Sequence, residues 1–432
     1  MKLTIKEKEI LEGKKGIGKQ KSLQFLYDIG KFSDAQRFIP INYSHIILED
    51  AQKTGEEANI GIEIAKSFLE GVNSFKVPTT VNSLIINPDI INKLELPKKV
   101  LDKISKNVEK SKRTYKKFGS IPSYSCTPHY FYPLKFGINV AVTEGEVVLF
   151  TNSVIGARSH YETVPSALAA AIVGRVPEYG LHIKENRFGS ILINLDKSYE
   201  NKHILTDSDY GILPLCIEEE IADSIPVWSG LSPNMSLTQL KYFSMGHAIS
   251  GTKGIFHIIG VTPEAFSKEM AFGTNKIQKK IVIGKKDILS AYNKCSTAEN
   301  DILDAIIIGC PHCYLKEIIN ISELLKGKKI NYNIRFWVVT NKVCYDLALR
   351  MGYVEKIEKA GGKVLYDMCV GNSLISRFHE ELSIKNIGTN SPLPALFIPA
   401  VSCQKVKTHF LNINECVNSA IKGKVEYEFK RY

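Results

Sequence analysis

The sequence predicts an α/β protein of more than one domain, with parallel-sheet βαβ units and a helical N-terminal segment. Its 432 residues are about three times the length of a typical single domain. Hydrophobic residues make up 44% and charged residues 23%, which is typical of a folded globular protein. The final third of the chain alternates short apolar runs with helical stretches, which is the pattern of βαβ units.

The N-terminal segment is predicted to be mainly helical. Apolar residues recur at helical spacing over residues 59–69, and again over 93–117 at Leu101, Ile104 and Val108. The second stretch carries ten basic and three acidic residues. We interpret these charges as the solvated face of an amphipathic helix, not as a nucleic-acid surface.

The middle of the chain mixes strands and helices. Short β-like runs are expected at 139–142 and 147–150, an alanine-rich helix at 165–173 and a buried strand within 254–261. These changes in pattern divide the chain into three predicted regions: 1–118, 119–300 and 301–432.

The C-terminal region is predicted to form a parallel sheet. Four apolar runs are expected as strands, at Ala305–Ile308, Phe336–Val339, Lys363–Tyr366 and Ala395–Pro399. Helical stretches lie between the first three, so right-handed crossovers are expected. Ligands bind beyond the carboxyl ends of such strands. This rule selects Gly309–His312, Asp367–Cys369 and, before the fourth run, Thr389–Ser391.

Charge and cysteine content predict the cellular compartment of the protein and the classes of partner it can bind. The net charge of +11 suits nucleic acid, acidic lipid or anionic metabolites. No nucleic-acid module, no apolar run of the ~18–20 residues that a membrane helix needs, and no signal peptide are recognisable. Nine cysteines are too few for a disulfide scaffold. We expect a cytoplasmic protein without membrane or nucleic-acid partners.

Three cysteines are candidates for chemistry. Cys310 follows a predicted strand, and Pro311 is expected at the first position of the next helix, where a thiol pKa is lowered. Cys369 has the equivalent place one βαβ unit later, and Cys126 lies in a turn-rich segment. Three thiolates suit an iron–sulfur cluster with one iron open to substrate. From spacing alone, buried structural cysteines remain the alternative.

Cys310 and Cys313 also form a CxxC pair, which is typical of thioredoxin-like redox sites. The long βαβ region around them fits that small fold poorly. The remaining cysteines are assigned to packing: Cys216, Cys295, Cys344, Cys403 and Cys416.

A possible anion clamp follows residue 150. Asn152 and Ser153 precede the turn Gly156–Ser159, where backbone amides and the Arg158 guanidinium suit a carboxylate or phosphate. A capped turn with a surface arginine is the alternative. Thr79 and Asn82 form a similar polar turn.

Two further interpretations concern ionisable groups. Glu144 and Glu146 are expected on one exposed face of a strand, because they alternate in a β-like segment. His257, between apolar neighbours, is expected to be a satisfied core histidine.

In order along the chain, these segments resemble the aconitase X family, specifically its large catalytic subunit. The resemblance covers nearly the whole chain. Its motifs are Lys76–Asn82, Ser125–Pro128, Phe150–Arg158, Gly174–Arg175 with Tyr179–His182, His257–Ala265, Gly309–His312 with Glu317, Asp367 with Cys369, and Thr389–Ser391.

The resemblance implies an iron–sulfur-dependent hydro-lyase of the aconitase superfamily. Its members dehydrate small hydroxy acids such as cis-3-hydroxy-L-proline or mevalonate 5-phosphate. Cys126, Cys310 and Cys369 match the family's three cluster ligands, with mononuclear iron at the same cysteines as the alternative cofactor. A separate small swivel-domain subunit is implied as the partner in a heterodimer, with a serine that serves as the catalytic base.

The resemblance also implies roles for polar residues. His312 is expected to donate a proton to the leaving hydroxyl, or else to hydrogen-bond near the cluster. The carboxylate or phosphate of a small anionic metabolite is expected to contact Thr79, Asn82, Asn152, Ser153, Arg158, Ser159 and Ser391.

Departures from the family pattern lie where an anion is expected to bind. The family reads Thr-Asn-Arg where this chain has Ser159-His160-Tyr161, and serine where it has Glu146. Met368 replaces a threonine and Leu393 a lysine. The loss of positive charge predicts an altered substrate with fewer negative groups. A divergent homologue without dehydratase activity, binding a metal or metabolite or using Cys310 and Cys313 for redox chemistry, is the alternative function.

Overall fold

The structure is a computed structural model that describes residues 1–48, 56–196, 205–221 and 224–428. Strands in these ranges form four sheets. The strands are β1 Phe38–Pro40, β2 Ser44–Ile46, β3 Thr79–Val81, β4 Ala141–Val142, β5 Arg175–Pro177, β6 Ile191–Leu195, β7 Pro226–Ser229, β8 His257–Ile258, β9 Lys279–Ile283, β10 Ala305–Cys313, β11 Arg335–Thr340, β12 Lys363–Tyr366, β13 Asn386–Thr389 and β14 Lys407–Phe410.

Helices cover the sheets and connect most of the strands. The α-helices are Ile5–Leu11, Ile17–Phe32, Glu56–Leu69, Lys98–Lys117, Gly145–Leu149, Val164–Val173, Asp207–Ile212, Leu237–Ile249, Lys268–Phe272, Lys285–Lys294, Leu315–Leu324, Lys342–Arg350, Tyr353–Lys359, Ser376–Phe378, Pro392–Val401 and Ile413–Lys422. Two π turns, Phe150–Ile155 and Val370–Ile375, lie beside the residues predicted to bind ligands. No helix among the described residues combines the length and apolar character that crossing a membrane requires.

The C-terminal sheet confirms the predicted parallel architecture. Its order is β12-β11-β10-β13-β14, and every neighbouring pair is parallel. After the central strand β10, the chain adds β11 and β12 on one side and then β13 and β14 on the other. The reversal creates a crevice between the carboxyl ends of β10 and β13, which is where ligands bind in such sheets. Cys310 and Thr389–Ser391 therefore meet at the same edge.

The predicted fourth strand at Ala395–Pro399 is wrong. These residues lie in the helix Pro392–Val401, which begins with proline at its first position, where the missing N–H costs no hydrogen bond. The strands on that side of the sheet are β13 and β14. Ala395 and Ile398 are buried in two different hydrophobic clusters, so the apolar run reflects a helix buried between cores.

The predicted strand at 147–150 is also wrong. Residues 145–149 form a short helix that continues into a π turn. Val147, Val148 and Leu149 are all buried, and a short, fully buried apolar run has the same sequence pattern in a helix as in a strand. Glu144 and Glu146 accordingly lie at the start of a helix, not on a strand face.

Other predicted elements are confirmed, some in part. The lysine-rich helix spans Lys98–Lys117 with Ile104 and Val108 buried, and the alanine-rich helix spans Val164–Val173. The run 254–261 contributes only the two residues of β8. The N-terminal segment is largely helical, but it also supplies β1, β2 and β3; residues 49–55 of its predicted helical stretch lie outside the described ranges.

Two smaller parallel sheets complete the frame. Their orders are β3-β2-β4 and β8-β7-β6-β9, whereas β1 and β5 pair antiparallel. The carboxyl ends of β3 and β4 lead directly into Asn82 and into Thr143–Glu146. One hydrophobic cluster contains residues from both the N-terminal sheet and the C-terminal sheet, including Val81 and Trp337. This shared core positions the ends of the two sheets relative to each other.

Candidate active site

The structure brings together the three cysteines predicted to bind a cluster. Cys126, Cys310 and Cys369 are all half-buried. Burial raises the pKa of Cys310 well above its ordinary value, and the neighbouring sulfurs of Cys369 and Cys126 raise it further. Burial likewise raises the pKa of Cys126, with Cys369 among the contributing groups. The three sulfurs are therefore close enough to interact electrostatically.

Backbone hydrogen bonds tie the three cysteine segments together. The His312 N–H donates to Cys126 Sγ at 3.4 Å. The Cys369 N–H donates to the Leu84 carbonyl at 2.7 Å, and the Leu84 N–H donates to the Asp367 carbonyl at 3.0 Å. The segment after β3 thus runs alongside the Cys369 loop. These hydrogen bonds hold the segments that carry the three cysteines close to one another.

The His312 ring is enclosed between two cysteine segments. Its Nε2 lies 2.8 Å from the Met368 carbonyl, so Nε2 carries the hydrogen, and Nδ1 accepts from Ser125 Oγ at 2.9 Å. Burial lowers the pKa of His312 to about 4. A neutral ring with both nitrogens occupied favours a positioning role near Cys126 and Cys369, while proton donation to the leaving hydroxyl stays a prediction.

The expected placement of Cys310 at a helix N-terminus is wrong. Strand β10 runs on to Cys313 with an irregularity after Ile308, the Cys310–Pro311 peptide is cis, and the next helix begins at Leu315. Pro311 therefore does not open a helix. The Cys310 thiol lacks the helix-end charge that would lower its pKa, and burial acts in the opposite direction.

Glu144 and Glu146 face the thiols as an interacting pair. Burial raises the pKa of both carboxyls, and Glu146 raises that of Glu144 further. The two carboxyl groups interact electrostatically, and both raise the pKa of Cys126 and Cys310. Asn82 is fully buried beside Glu144, and its side chain lowers the pKa of that carboxyl. The expectation of an exposed strand face is therefore wrong.

A buried ion pair between Lys241 and Glu317, which the sequence analysis did not predict, packs against the His312 backbone. Lys241 Nζ lies 2.6 Å from Glu317 Oε2 and donates to the His312 carbonyl at 3.1 Å. Tyr242 Oη donates to Glu317 Oε1 at 2.7 Å, and Asn390 Nδ2 donates to Tyr242 Oη at 2.6 Å. The detectable signal was a lysine inside an apolar helical run, because lysine is rarely buried without a partner.

A small cavity lies next to these groups. Its lining includes Cys126, Glu146, Thr151, Lys241 and Ser244. Thr127, His129 and several apolar side chains complete its walls. Its wall therefore contains both a thiol and a carboxyl group.

Asn152, Ser153 and Ser159 are placed in the same region but serve the fold. Asn152 Nδ2 donates to the carbonyls of Ser159 and Gly254, each at 2.8 Å, and its Oδ1 accepts from the Ser159 N–H at 2.9 Å. Ser153 Oγ accepts from the Phe256 N–H at 2.8 Å. Since these groups are used within the protein, contact of these three residues with a substrate stays a prediction.

Arg187 organises this network and was not found from the sequence. Its buried guanidinium pairs with Glu264 at 2.8 Å and donates to Asn152 Oδ1 at 3.1 Å. It also donates to the carbonyls of Leu181 and Ala157. Nothing in the local sequence distinguishes this arginine from a surface residue. His257 is buried and its Nε2 lies 2.7 Å from the Arg187 carbonyl, which confirms a core histidine, but its Nδ1 has no partner among the described residues, so it is satisfied only in part.

The other predicted binding residues are dispersed. Arg158 is half-buried, and its charge lowers the pKa of His182 and of Arg187. Arg158 is not among the groups that shift the pKa of Glu146, so the structure does not place it beside the carboxyl pair. The buried Thr79 hydroxyl donates to the Val77 carbonyl at 2.9 Å. Ser391 Oγ is buried at the end of β13 and has no hydrogen-bond partner among the described residues. Substrate contacts of these three residues also stay predictions.

In the described ranges, no group of three or more His, Cys, Asp or Glu residues is arranged to hold a single metal ion. No disulfide joins any of the nine cysteines, all of which lie in those ranges.

Parallel sheets bring three interacting thiols and a carboxyl pair together near the carboxyl ends of their strands, which is the arrangement of an α/β enzyme. Models of the aconitase X first, second and third domains match residues 1–185, 189–293 and 303–422. The chain belongs to the aconitase X family. The predicted division at residues 118 and 300 stays a prediction.

Named relatives agree with this family. The chain is 36% identical to the phosphomevalonate dehydratase large subunit of Methanocaldococcus jannaschii, over 93% of this chain and 96% of that protein. It is 26% identical to the cis-3-hydroxy-L-proline dehydratase of Hypocrea jecorina, over 98% of this chain and 69% of that protein. A crystal structure of Thermococcus kodakaraensis aconitase X in its holo-form matches with a TM-score of 0.82 and 29% identity, covering 97% of this chain and 100% of the other. The chain is accordingly a dehydratase large subunit, that is, a hydro-lyase.

Proposed function

We propose that this hydro-lyase removes water from a small hydroxy acid with the help of an iron–sulfur cluster held by Cys126, Cys310 and Cys369. The observation that carries the proposal is the meeting of three thiols from distant segments, one of which, Cys126, lines a cavity. The cluster is preferred to mononuclear iron because each thiolate of a cluster binds its own iron, which requires a wider arrangement of sulfurs than a single ion does.

The chemistry of the donor set supports this cofactor. Burial and the Glu144 and Glu146 carboxyls raise the pKa of Cys126 and Cys310, so thiolates at this place need a bound cation. Iron is a soft enough partner for thiolates. The His312 N–H directed at Cys126 Sγ is the kind of outer hydrogen bond that stabilises a ligating sulfur.

When bound, the cluster would supply a Lewis-acidic iron that makes hydroxide a feasible leaving group. The chain's own residues prepare the cavity for that reaction. Lys241 holds the carbonyls of Pro311 and His312 and so fixes the loop after Cys310. The neutral His312 ring holds Met368 and Ser125, each beside a cysteine ligand. Glu146 presents a carboxyl group to the cavity, with Glu144 beside it.

The proposal includes a partner and a location. Relatives that match this chain end to end are named large subunits, and the longer cis-3-hydroxy-L-proline dehydratases contain additional sequence beyond the match. We infer that a separate small subunit completes the active site and supplies a serine as the base. A reducing cytoplasm suits thiol ligands that must not form disulfides.

The thiol-redox alternative has less support. Cys310 is half-buried and Cys313 fully buried, and burial raises the pKa of both thiols. A redox-active CxxC requires the opposite, an accessible thiol with a lowered pKa. The geometry therefore favours the hydro-lyase.

The test is iron and acid-labile sulfide per chain in protein purified without oxygen together with its small subunit. Cys126→Ser, Cys310→Ser and Cys369→Ser should each lose iron, sulfide and dehydration. Cys403→Ser, which changes an exposed cysteine, should retain all three. Iron without sulfide would replace the cluster by mononuclear iron; neither element, even after reconstitution, would reject the proposal.

A further inference from the structure

We propose that a basic cavity at the amino-terminal edge of the C-terminal sheet binds a small phosphorylated anion as a second ligand. Segments around the starts of β11 and β12 enclose this cavity, which has a volume of about 590 Å³. Small-molecule sites in proteins have volumes of ~300–1,000 Å³. The inference goes beyond the proposed function, because it uses none of the residues assigned to the dehydration reaction.

The cavity and the three cysteines lie at opposite edges of the sheet. Strand β11 begins at Arg335, which lines the cavity, and ends at Thr340, which pairs with Cys313 at the other edge. The six residues of β11 span roughly 17 Å at ~3.3 Å per residue. A small ligand in the cavity is therefore too far from the cysteines to be the molecule that is dehydrated.

Four basic side chains from separate segments line the cavity: Lys329, Arg335, Lys359 and Lys363. Glu95 is the only acidic residue among the described residues of the lining. Four positive charges and one negative charge leave a formal excess of +3. A concave surface with such an excess of one sign concentrates ligands of the opposite charge.

Glu95 balances only part of the positive charge. Its Oε1 accepts from Lys363 Nζ at 2.8 Å, and its Oε2 accepts from Arg335 Nε at 2.8 Å. Hydrogen bonds from Lys363 and Arg335 lower the pKa of Glu95, so this carboxyl is ionised at neutral pH. One carboxylate thereby holds a lysine and an arginine side by side in the lining, and its single charge cannot neutralise both.

Lys329 and Lys359 provide the charge that remains. Lys329 Nζ donates to the Lys359 carbonyl at 2.6 Å, which joins the two segments but leaves the ammonium charge unbalanced. Neither lysine forms an ion pair within the described part of the chain; Glu358, next to Lys359, pairs with Lys93 instead. A ligand with several negative oxygens would balance these charges. Phosphate groups have such oxygens, and arginine and lysine are their usual partners.

The test is calorimetric titration of the full-length chain with inorganic pyrophosphate. Lys329→Gln and Lys359→Gln should each weaken binding about tenfold, because each removes one unbalanced charge from the lining. Both lysines are exposed, so neither substitution should unfold the chain. Lys356→Gln, on the helix Tyr353–Lys359 but paired with Glu323 outside the lining, makes the same change in net charge and should leave the affinity nearly unchanged. Absence of saturable binding to the wild type, or equal losses in all three variants, would overturn the proposal.

Glu95→Gln has an opposite expected effect. The substitution releases Arg335 and Lys363 from their carboxylate, so pyrophosphate should bind several-fold more tightly. A residue that only stabilised the local fold would not increase affinity when it is replaced. Unchanged or weaker binding in this variant would count decisively against an anion site.

Two controls separate this ligand from other anions and from the dehydration site. A single-stranded oligoribonucleotide that binds more tightly than pyrophosphate, and loses affinity in the same lysine variants, would replace the small ligand by a nucleic-acid surface. Cys310→Ser should bind pyrophosphate like the wild type, because this cysteine lies at the other edge of the sheet. Loss of binding in Cys310→Ser would move the anion to the cysteine site and refute the proposal. Iron and sulfide content, by contrast, test only the dehydratase function.

Discussion

The backbone nitrogen of His312 lies 3.4 Å from the sulfur of Cys126, although 186 positions separate the two residues in the sequence. This contact joins the segment between the helix Lys98–Lys117 and β4 to the end of β10. A change that displaces the β10 end therefore affects two cysteines at once, Cys310 directly and Cys126 through His312.

Gly309→Ala tests how tightly that end of β10 is fixed. Gly309 has a φ of +117°, and a Cβ there would lie 2.1 Å from the Val339 carbonyl oxygen. The clash and the strained backbone should cost about 3 kcal/mol of unfolding free energy, measured by urea denaturation, and should sharply reduce iron content. Gly284→Ala, where φ is negative and the nearest atom is 3.8 Å away, should change neither. Normal iron content in Gly309→Ala would contradict the prediction.

Lys241→Met tests the buried ion pair. Both Lys241 and Glu317 side chains are only 2% exposed, so the substitution leaves a buried carboxylate without its cation. The expected loss is about 3–5 kcal/mol of unfolding free energy, measured by urea denaturation. The double variant Lys241→Met with Glu317→Leu should recover much of that loss, because no uncompensated charge remains. Equal losses in the single and double variants would argue against the pair as the cause.

Stability should fall on the acid side of neutrality. Burial lowers the pKa of His45 and His129 to about 3 and that of His312 to about 4. The unfolded chain then binds more protons than the folded one below pH ~6.5, so stability decreases as pH falls from there towards 4. His45→Gln should remove about 2 kcal/mol of the difference between pH 7.5 and pH 5. Urea denaturation at both pH values measures it; an unchanged difference would show that His45 is not the group responsible.

Glu162 should have the opposite effect at higher pH. Burial raises its pKa to about 7, and its Oε1 has no hydrogen-bond partner among the described residues. The folded state binds this proton more tightly than the unfolded state, so the associated stability is lost as pH rises from ~4.5 through 7. Relative to wild type, Glu162→Gln should therefore gain about 3 kcal/mol between pH 5 and pH 8. The check is again urea denaturation at the two pH values, and a constant difference between variant and wild type would refute it.

Elements with distinctive periodicity were predictable from the sequence. The apolar runs of β10, β11 and β12 alternate with amphipathic helices, and the lysine-rich helix shows its buried stripe through Ile104 and Val108. Runs buried on all sides were not predictable. The helices at 145–149 and 392–401 present continuous apolar sequence, which local pattern cannot separate from a strand.

The parts of the candidate site that could be predicted are cysteines that directly follow predicted strands. Cys310 and Cys369 followed from the parallel-sheet rule, whereas Cys126 was a weaker candidate that gained support from the family resemblance. Lys241 and Arg187 were missed because their partners, Glu317 and Glu264, lie 76 and 77 positions away. Tertiary contacts at such distances leave no local trace in a single sequence.

Because the three cysteines are far apart in the sequence, the site can form only late in the synthesis of the chain. During synthesis, a nascent chain that ends before Cys310 carries only Cys126 of the three site cysteines, and the crevice between β10 and β13 is absent until residue 389 has been added. Long-range parallel pairing of this kind is a late event in folding. Insertion of the proposed cluster would therefore follow translation of nearly the whole chain, and an N-terminal fragment made by premature termination would contain Cys126 without the other two thiols needed to hold it.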